Sequence, residues 1–187
     1  MEEQLFSVGK SQSIGDVLMN KDLRARLQEK LCSQFPAYVV VTLKMNIPGP
    51  VKNNEELEEL FDYGKKDFIE RLLNVESIHI LKKIEWNKDT GKELFLVLNS
   101  SVSDVKKISI EFEEHFALGR LFDADVLSKS TGAKPVSRKS FGLPARKCYL
   151  CGRPSKECAR SRKHSVSELQ AALNLLWKNF GEKRKLS

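Results

Sequence analysis

The sequence predicts an α+β fold, a mixed or antiparallel sheet with helices on one face, and three observations carry that prediction. A β-branched run, Tyr38-Val39-Val40-Val41-Thr42-Leu43, has strand length and lies between two stretches of helical periodicity. A turn-rich segment, Asn87-Lys88-Asp89-Thr90-Gly91, separates two strand-like runs as a hairpin does. Near the middle of the second half, Phe122-Asp123-Ala124-Asp125-Val126 alternates apolar and acidic residues with the two-residue period of a strand.

In chain order, residues 13–34 read as a helix, with Ile14, Val17, Leu18, Leu23, Leu27 and Leu31 near a 3.6-residue period and Ser13 or Asp16 as its cap. The first strand, 38–43, runs into Asn46-Ile47-Pro48-Gly49-Pro50, where two prolines around a glycine forbid regular structure. Asn54 caps a second helix, 55–73, that turns Leu57, Leu60, Phe61, Phe68 and Leu72 inward. Strands at 77–86 and 94–98 follow, then a third helix opened by Ser103 or Asp104 and ending near Phe116, then a fourth strand at 121–127. A Gly/Pro/Ser/Lys-rich loop spans 129–147, and Ser165-x-x-Glu168 forms a capping box before a last amphipathic helix, 166–180. Cys32 and Trp177 are expected in the core. Strand, helix, strand, strand, helix, strand is the order of the ferredoxin-like split unit, with the N-terminal helix and the basic C-terminal segment as additions.

The 187 residues suit a single domain, with a core over about 13–128 and a basic loop, a Cys/His knuckle and a helix over about 129–183. No apolar run approaches the roughly 20 residues that span a bilayer. Residues 1–4 are acidic and carry no apolar stretch of the kind found in secretory signals, so a cytoplasmic protein with reduced thiols is expected. Charge is unevenly spread. Residues 129–187 hold 15 basic and 3 acidic side chains, a formal +12, whereas 1–128 hold 17 and 22, a formal −5. A concentrated positive surface attracts polyanions: nucleic acid, a phosphorylated small molecule or an acidic protein.

Four constellations can carry chemistry. Gly119-Arg120-Leu121-Phe122-Asp123-Ala124-Asp125-Val126 puts Asp123 and Asp125 on one strand face, where two carboxylates repel unless a cation such as Mg²⁺ sits between them. Taken alone, the pair reads rather as a solvated acidic face; Arg120 beside it and the basic segment that follows point to the cation. Cys148-x₂-Cys151-x₆-Cys158-x₅-His164 is a chemically suitable tetrahedral zinc set with a knuckle-spaced first pair, though its six-residue gap is not a standard finger spacing. The other view makes the cysteines small hydrophobes and His164 part of an anion site. Arg138, Arg146, Arg153, Arg160 and Arg162 offer bidentate phosphate donors, with only Phe141 and Tyr149 nearby to stack bases. Asn46 to Lys52 is a rigid loop directly after a strand, where Asn46, Gly49 and Lys52 could approach a phosphate; by itself it reads rather as a plain strand-to-helix connection.

Read together, Asn46-Ile47-Pro48-Gly49-Pro50-Val51-Lys52, Gly119-Arg120-Leu121-Phe122-Asp123-Ala124-Asp125-Val126, Ser137-Arg138, Gly142-Leu143-Pro144-x-Arg146-x-Cys148 and Cys158-Ala159-Arg160-Ser161-Arg162-x-His164-Ser165 resemble one family in its own order, over about residues 14–180. It is the apo-citrate lyase phosphoribosyl-dephospho-CoA transferase family, or holo-citrate lyase acyl carrier protein synthases. The resemblance implies a nucleotidyltransferase-type reaction. A serine of the citrate lyase acyl carrier subunit attacks 2′-(5″-triphosphoribosyl)-3′-dephospho-CoA, and pyrophosphate leaves. It further implies Asp123, Asp125 and Arg120 as catalytic residues, with Mg²⁺ on the two aspartates. Arg138, Arg146, Arg160, Arg162, Asn46, Gly49 and Lys52 are then the donor-binding residues, and part of the basic surface docks an acidic carrier. Two alternatives explain some of the same features: a zinc-knuckle module that grips nucleic acid, and a related nucleotidyltransferase acting on another carrier. Neither a membrane nor, on the first reading, nucleic acid is a partner.

Overall fold

The structure is a computed structural model and describes residues 5–185; the acidic residues 1–4 lie outside the described residues. The elements are α1 (Ile14–Gln34), β1 (Val39–Met45), α2 (Glu55–Leu73), β2 (His79–Lys88), β3 (Gly91–Asn99), α3 (Val102–His115), β4 (Phe122–Leu127), α4 (Ser155–Arg160) and α5 (Val166–Lys185). The four strands form one sheet in the order β2-β3-β1-β4, antiparallel throughout. Strand order and connections are those of the expected split unit.

Alternation along the strands separates the two sheet faces. Val39, Val41 and Leu43 of β1, Leu94, Leu96 and Leu98 of β3, and Phe122, Ala124 and Val126 of β4 share one face. Over it lie Leu57, Phe61 and Phe68 of α2, Val105 and Phe112 of α3, and Leu173 and Trp177 of α5. Gly64 makes the closest approach: a Cβ there would stand 2.1 Å from the Phe122 ring, so only glycine lets α2 settle on β4. Val40, Phe95, Val97 and Leu127 share the opposite face with Leu31 and Cys32 of α1. Helices therefore cover both faces, α2, α3 and α5 on one and α1 on the other.

The first half of α1 departs from the sequence expectation. Ile14 is 81% exposed and Leu18 52%, and Val17 and Leu23 are also exposed. The helix instead turns Asn20, Arg24 and Gln28 inward. Asn20 Nδ2 donates to Glu93 Oε1 at 2.6 Å, Arg24 Nε to Glu93 Oε2 at 2.6 Å, and Gln28 Nε2 to Thr42 Oγ1 at 2.9 Å. The cause lies in the sheet. Thr42 and Glu93 are buried polar groups on this face and need partners, which an apolar stripe could not supply.

Other boundaries shift for local reasons. Ser13 and Asp16 form a full capping box, and Asn54 caps α2. Ser101, not Ser103 or Asp104, caps α3: its hydroxyl accepts from Asp104 N at 3.0 Å, so the helix opens two to three residues earlier. The β2–β3 ladder continues to the Lys88–Gly91 pair, leaving a turn of only Asp89 and Thr90, with Gly91 at φ 118°. The capping box at Ser165 and Glu168 is present as expected. Within the expected loop, Arg138–Phe141 winds one 3₁₀ turn, and α4 is an additional short helix inside the Cys/His segment. No helix among the described residues is long and apolar enough to cross a membrane.

Candidate functional site

β4 pairs with β1 along one edge only, and its other edge is covered by side chains rather than by a strand. Ala124 N donates to Glu113 Oε1 at 2.9 Å, and Lys106 Nζ donates to Ala124 O at 3.3 Å, both from α3. Arg146 Nη2 donates to Phe122 O at 2.8 Å and to Arg120 O at 3.2 Å. Farther along, Val136 N bonds Val126 O at 2.9 Å. Residues 129–147 thus form a strap along the edge. Glu113 is the hub beneath it: its buried carboxylate also accepts from Arg138 Nη1 at 3.2 Å, while Arg138 reaches Glu114 with its other terminal nitrogen.

On the α1 face of β4, Asp123 and Asp125 stand side by side, at 29% and 32% exposure, while Phe122, Ala124 and Val126 are buried behind them. The register sets Lys44 opposite Asp123 and Thr42 opposite Asp125. Lys44 Nζ lies 2.7 Å from Asp123 Oδ2 and 4.0 Å from Asp125 Oδ2, so an ammonium answers the repulsion of the two carboxylates. Arg146 Nη1 also pairs with Asp123 Oδ1. Burial pushes the Asp123 carboxyl up, but Lys44 and Arg146 outweigh it and hold the group below its ordinary value. Lys106 is buried within reach of the charges of Glu113 and Asp125, and desolvation pulls its ammonium below the ordinary lysine value.

Lys44 also borders a small cavity of about 40 Å³ at the end of β1, lined by Arg24, Lys52 and Lys92, with Glu93 as its one acid. The buried Thr90 hydroxyl beside it has no hydrogen-bond partner. Lys52 donates to Ile47 O, and burial lowers its pKa. The structure therefore joins a carboxylate pair and a cationic cavity through one lysine.

The expected site residues fall into three groups. Asp123, Asp125, Arg120, Arg138 and Arg146 gather around β4. Arg138 and Arg146 are engaged with Glu113, Glu114 and Asp123, whereas the Arg120 guanidinium makes no hydrogen bond among the described residues; burial, Arg146 and Arg138 lower its pKa. Asn46, Gly49 and Lys52 share the loop after β1. There Gly49, at φ 89°, faces α5: a Cβ would meet Gln170 Nε2 at 2.5 Å, and Gln170 Nε2 donates to Pro48 O at 3.2 Å. The space that glycine leaves is filled by α5. Arg160 and Arg162 are exposed within the Cys/His segment. Sequence reasoning missed Lys44, Glu113, Arg24 and Glu93. Lys44, a cation continuing an apolar strand, and Glu113, an acid in the Val105, Ile108, Phe112 row, were the available signals.

Cys148, Cys151, Cys158 and His164 come together, each offering one ligand atom with all four atoms within 4.8 Å of one another. Cys151 Sγ and Cys158 Sγ are 3.9 Å apart. Burial raises the Cys148 thiol, but the Leu150 and Cys151 backbone N–H groups and the neighbouring thiols outweigh it and lower its pKa. Burial and the Cys148 and Cys151 thiols push Cys158 up to about 11.

Fold and site define an α+β protein with a mixed carboxylate–cation centre on its sheet. Residues 12–180 match the family model of apo-citrate lyase phosphoribosyl-dephospho-CoA transferases. A probable apo-citrate lyase phosphoribosyl-dephospho-CoA transferase of Streptococcus pyogenes serotype M18 is 35% identical over 184 residues, covering 98% of this chain and 94% of the relative. The transferase of the same name from Citrobacter koseri is 32% identical over 172 residues, covering 88% and 87%. Protein CitXG of Leuconostoc mesenteroides subsp. cremoris is 34% identical over 184 residues, which are 97% of this chain but only 38% of that longer relative. The chain belongs to the apo-citrate lyase phosphoribosyl-dephospho-CoA transferase family and is a transferase.

Proposed function

We propose that this protein transfers the phosphoribosyl-dephospho-CoA group from 2′-(5″-triphosphoribosyl)-3′-dephospho-CoA to a serine of the citrate lyase acyl carrier subunit. The observation that carries the proposal is the Asp123–Asp125 pair bridged by Lys44 next to a cavity lined by Arg24, Lys52 and Lys92. It offers a triphosphate both carboxylates for its metal and ammonium groups for its oxygens.

The serine oxygen bonds to the phosphorus nearest the ribose, the bond from that phosphorus to the bridging oxygen breaks, and the electron pair leaves with pyrophosphate while the serine loses its proton. Such an in-line displacement requires positioning and charge neutralisation more than covalent help. The donor set fits a hard cation: Asp123 and Asp125 are adjacent carboxylates, and Mg²⁺ held there would take the place of Lys44 or Arg146 on an Asp123 oxygen. Bound there, Mg²⁺ would neutralise triphosphate oxygens in the transition state. Lys44 keeps the carboxylates together, and Lys52 and Arg120 supply cations to the phosphates. Arg138 and Arg146 position: through Glu113 and Asp123 they fix the strap against β4. The basic C-terminal segment docks the carrier, an acidic protein class. This function places the protein in the cytoplasm, consistent with its free thiols.

Pyrophosphate released from the donor only in the presence of the carrier is the expected result. Salt-sensitive binding of random oligonucleotides without any release would replace the transferase with a nucleic-acid module.

A further inference from the structure

We propose that Cys148, Cys151, Cys158 and His164 hold one structural Zn²⁺, and that this ion locks the strap carrying Arg146 onto the Asp123–Asp125 pair. The donor set is three thiolates and an imidazole, a common closed zinc shell with no position left for substrate. Its atoms already lie within 4.8 Å of one another. The Cys151–Cys158 sulfur separation of 3.9 Å is close to the roughly 3.8 Å edge of a tetrahedron with Zn–S bonds of about 2.3 Å. His164 Nε2 is buried without a hydrogen-bond partner, a state that native proteins avoid.

The backbone around the cluster is shaped for it. Cys148 N bonds Arg153 O at 2.6 Å and Gly152 N bonds Cys148 O at 3.0 Å, with Gly152 at φ 70°, so the chain reverses tightly after the first cysteine pair. α4 takes up the second half of the unusual six-residue gap and carries Cys158 back to that turn. Arg162 then adopts φ 46°, a left-handed conformation costly for arginine, and Lys163 N bonds Cys158 O at 3.3 Å. Strain of that kind persists where surrounding structure over-determines it; here the loop returns His164 to the three sulfurs.

Apart from Tyr149, which packs half-buried against the main core, the segment has little else to hold it. Between Lys147 and His164 only Cys148 and Cys158 are buried, too small an apolar core for a fold of this length. Metal binding releases the thiol protons and leaves two positive charges against three negative, a net single negative charge. Lys147, Arg153, Lys156, Arg160 and Lys163 surround it in sequence and offset that charge. The knuckle is tied to the site just before its first cysteine: Ser155 N bonds Arg146 O at 2.7 Å, while the Arg146 guanidinium pairs with Asp123 and bonds Phe122 O. This inference does not depend on the identity of the substrate.

The test is the metal content of the full chain, purified without a metal-binding tag, together with hydrogen exchange before and after chelation. One zinc per chain is expected. Cobalt exchanged into it should show thiolate charge-transfer absorption and strong tetrahedral d–d bands. Cys151→Ser and His164→Ala should lose the ion, and Cys32→Ala should keep it. Because those variants could unfold the segment, the wild-type chain is also stripped and refilled. Amides of the strap and knuckle, from Val136 through His164, should exchange at least tenfold faster when stripped and recover with zinc, while those of β1 and β3 stay unchanged. A zinc-free chain with full protection over 146–164, stoichiometric iron in place of zinc, or zinc retained by Cys151→Ser would overturn the site. Zinc bound with no change in protection of the strap on stripping would overturn its locking role.

Discussion

The two faces of the sheet are cut from the same strands and do opposite things. Toward α2, α3 and α5 every second residue is apolar and shielded, with Val41, Leu43, Leu96, Phe122 and Val126 fully buried. Toward α1 the alternate residues include Thr42, Lys44, Glu93, Asp123 and Asp125, and each charged one has an opposite partner within 4.0 Å. The first face supplies stability through buried area. The second spends little of it, because each charge is matched locally, and so can present a reactive cluster on a rigid support. Separating the two is a matter of one residue of register.

That comparison can be broken by substitutions that should move one property and leave the other. Phe122→Ala on the closed face should cost about 3–5 kcal/mol of stability, read by urea unfolding. A loss below about 1 kcal/mol would mean that β4 is not anchored by its apolar face. Asp125→Asn on the open face should lower the rate of carrier loading about a hundredfold, about 2.7 kcal/mol of barrier, with an unchanged melting temperature. Full activity would remove the carboxylate pair from the mechanism. Glu93→Gln leaves Arg24 half-buried without its anion and should cost about 2 kcal/mol; no loss would show that α1 is held by its Leu31 and Cys32 end alone.

Asp123 predicts a pH dependence. Its folded carboxyl sits below the unfolded value of 3.8, so its contribution is fully present above that value and is lost as pH falls through the lower folded one. Urea unfolding from pH 6 to pH 2 should show that acid-side loss in the wild type and a shallower one in Asp123→Asn. Identical slopes would contradict the Lys44 and Arg146 pairing. The smallest effect is expected at Leu18, which is 52% exposed. Leu18→Gln should change stability by no more than about 0.5 kcal/mol, and a core-sized loss would restore the inward apolar stripe that periodicity suggests.

What was legible in the sequence follows the same division. Alternation at Phe122 to Val126 placed the aspartates correctly because a strand has one period and two faces. Helix periodicity misplaced Ile14 and Leu18, since it locates an apolar stripe without saying what the sheet beneath requires. Thr42 and Glu93, far along the chain, decide that α1 turns its polar side inward. Cysteine spacing foretold the cluster at Cys148, Cys151, Cys158 and His164, but not α4, which begins within the gap and carries Cys158 itself. Lys44 and Glu113 were passed over because their roles come from register and tertiary packing: one faces Asp123 across a ladder, the other satisfies the backbone of an edge strand. The arginines were found by type, yet Arg138 and Arg146 prove to be bound up with carboxylates that the pattern did not reveal.

The central claim is tested most directly by the intact mass of the acyl carrier subunit after incubation with this protein, Mg²⁺ and the triphosphoribosyl-dephospho-CoA donor. The account predicts a gain equal to the donor less pyrophosphate, absent when the acceptor serine is alanine and strongly slowed by Asp125→Asn. An unmodified carrier, with folded protein and intact donor, would contradict it.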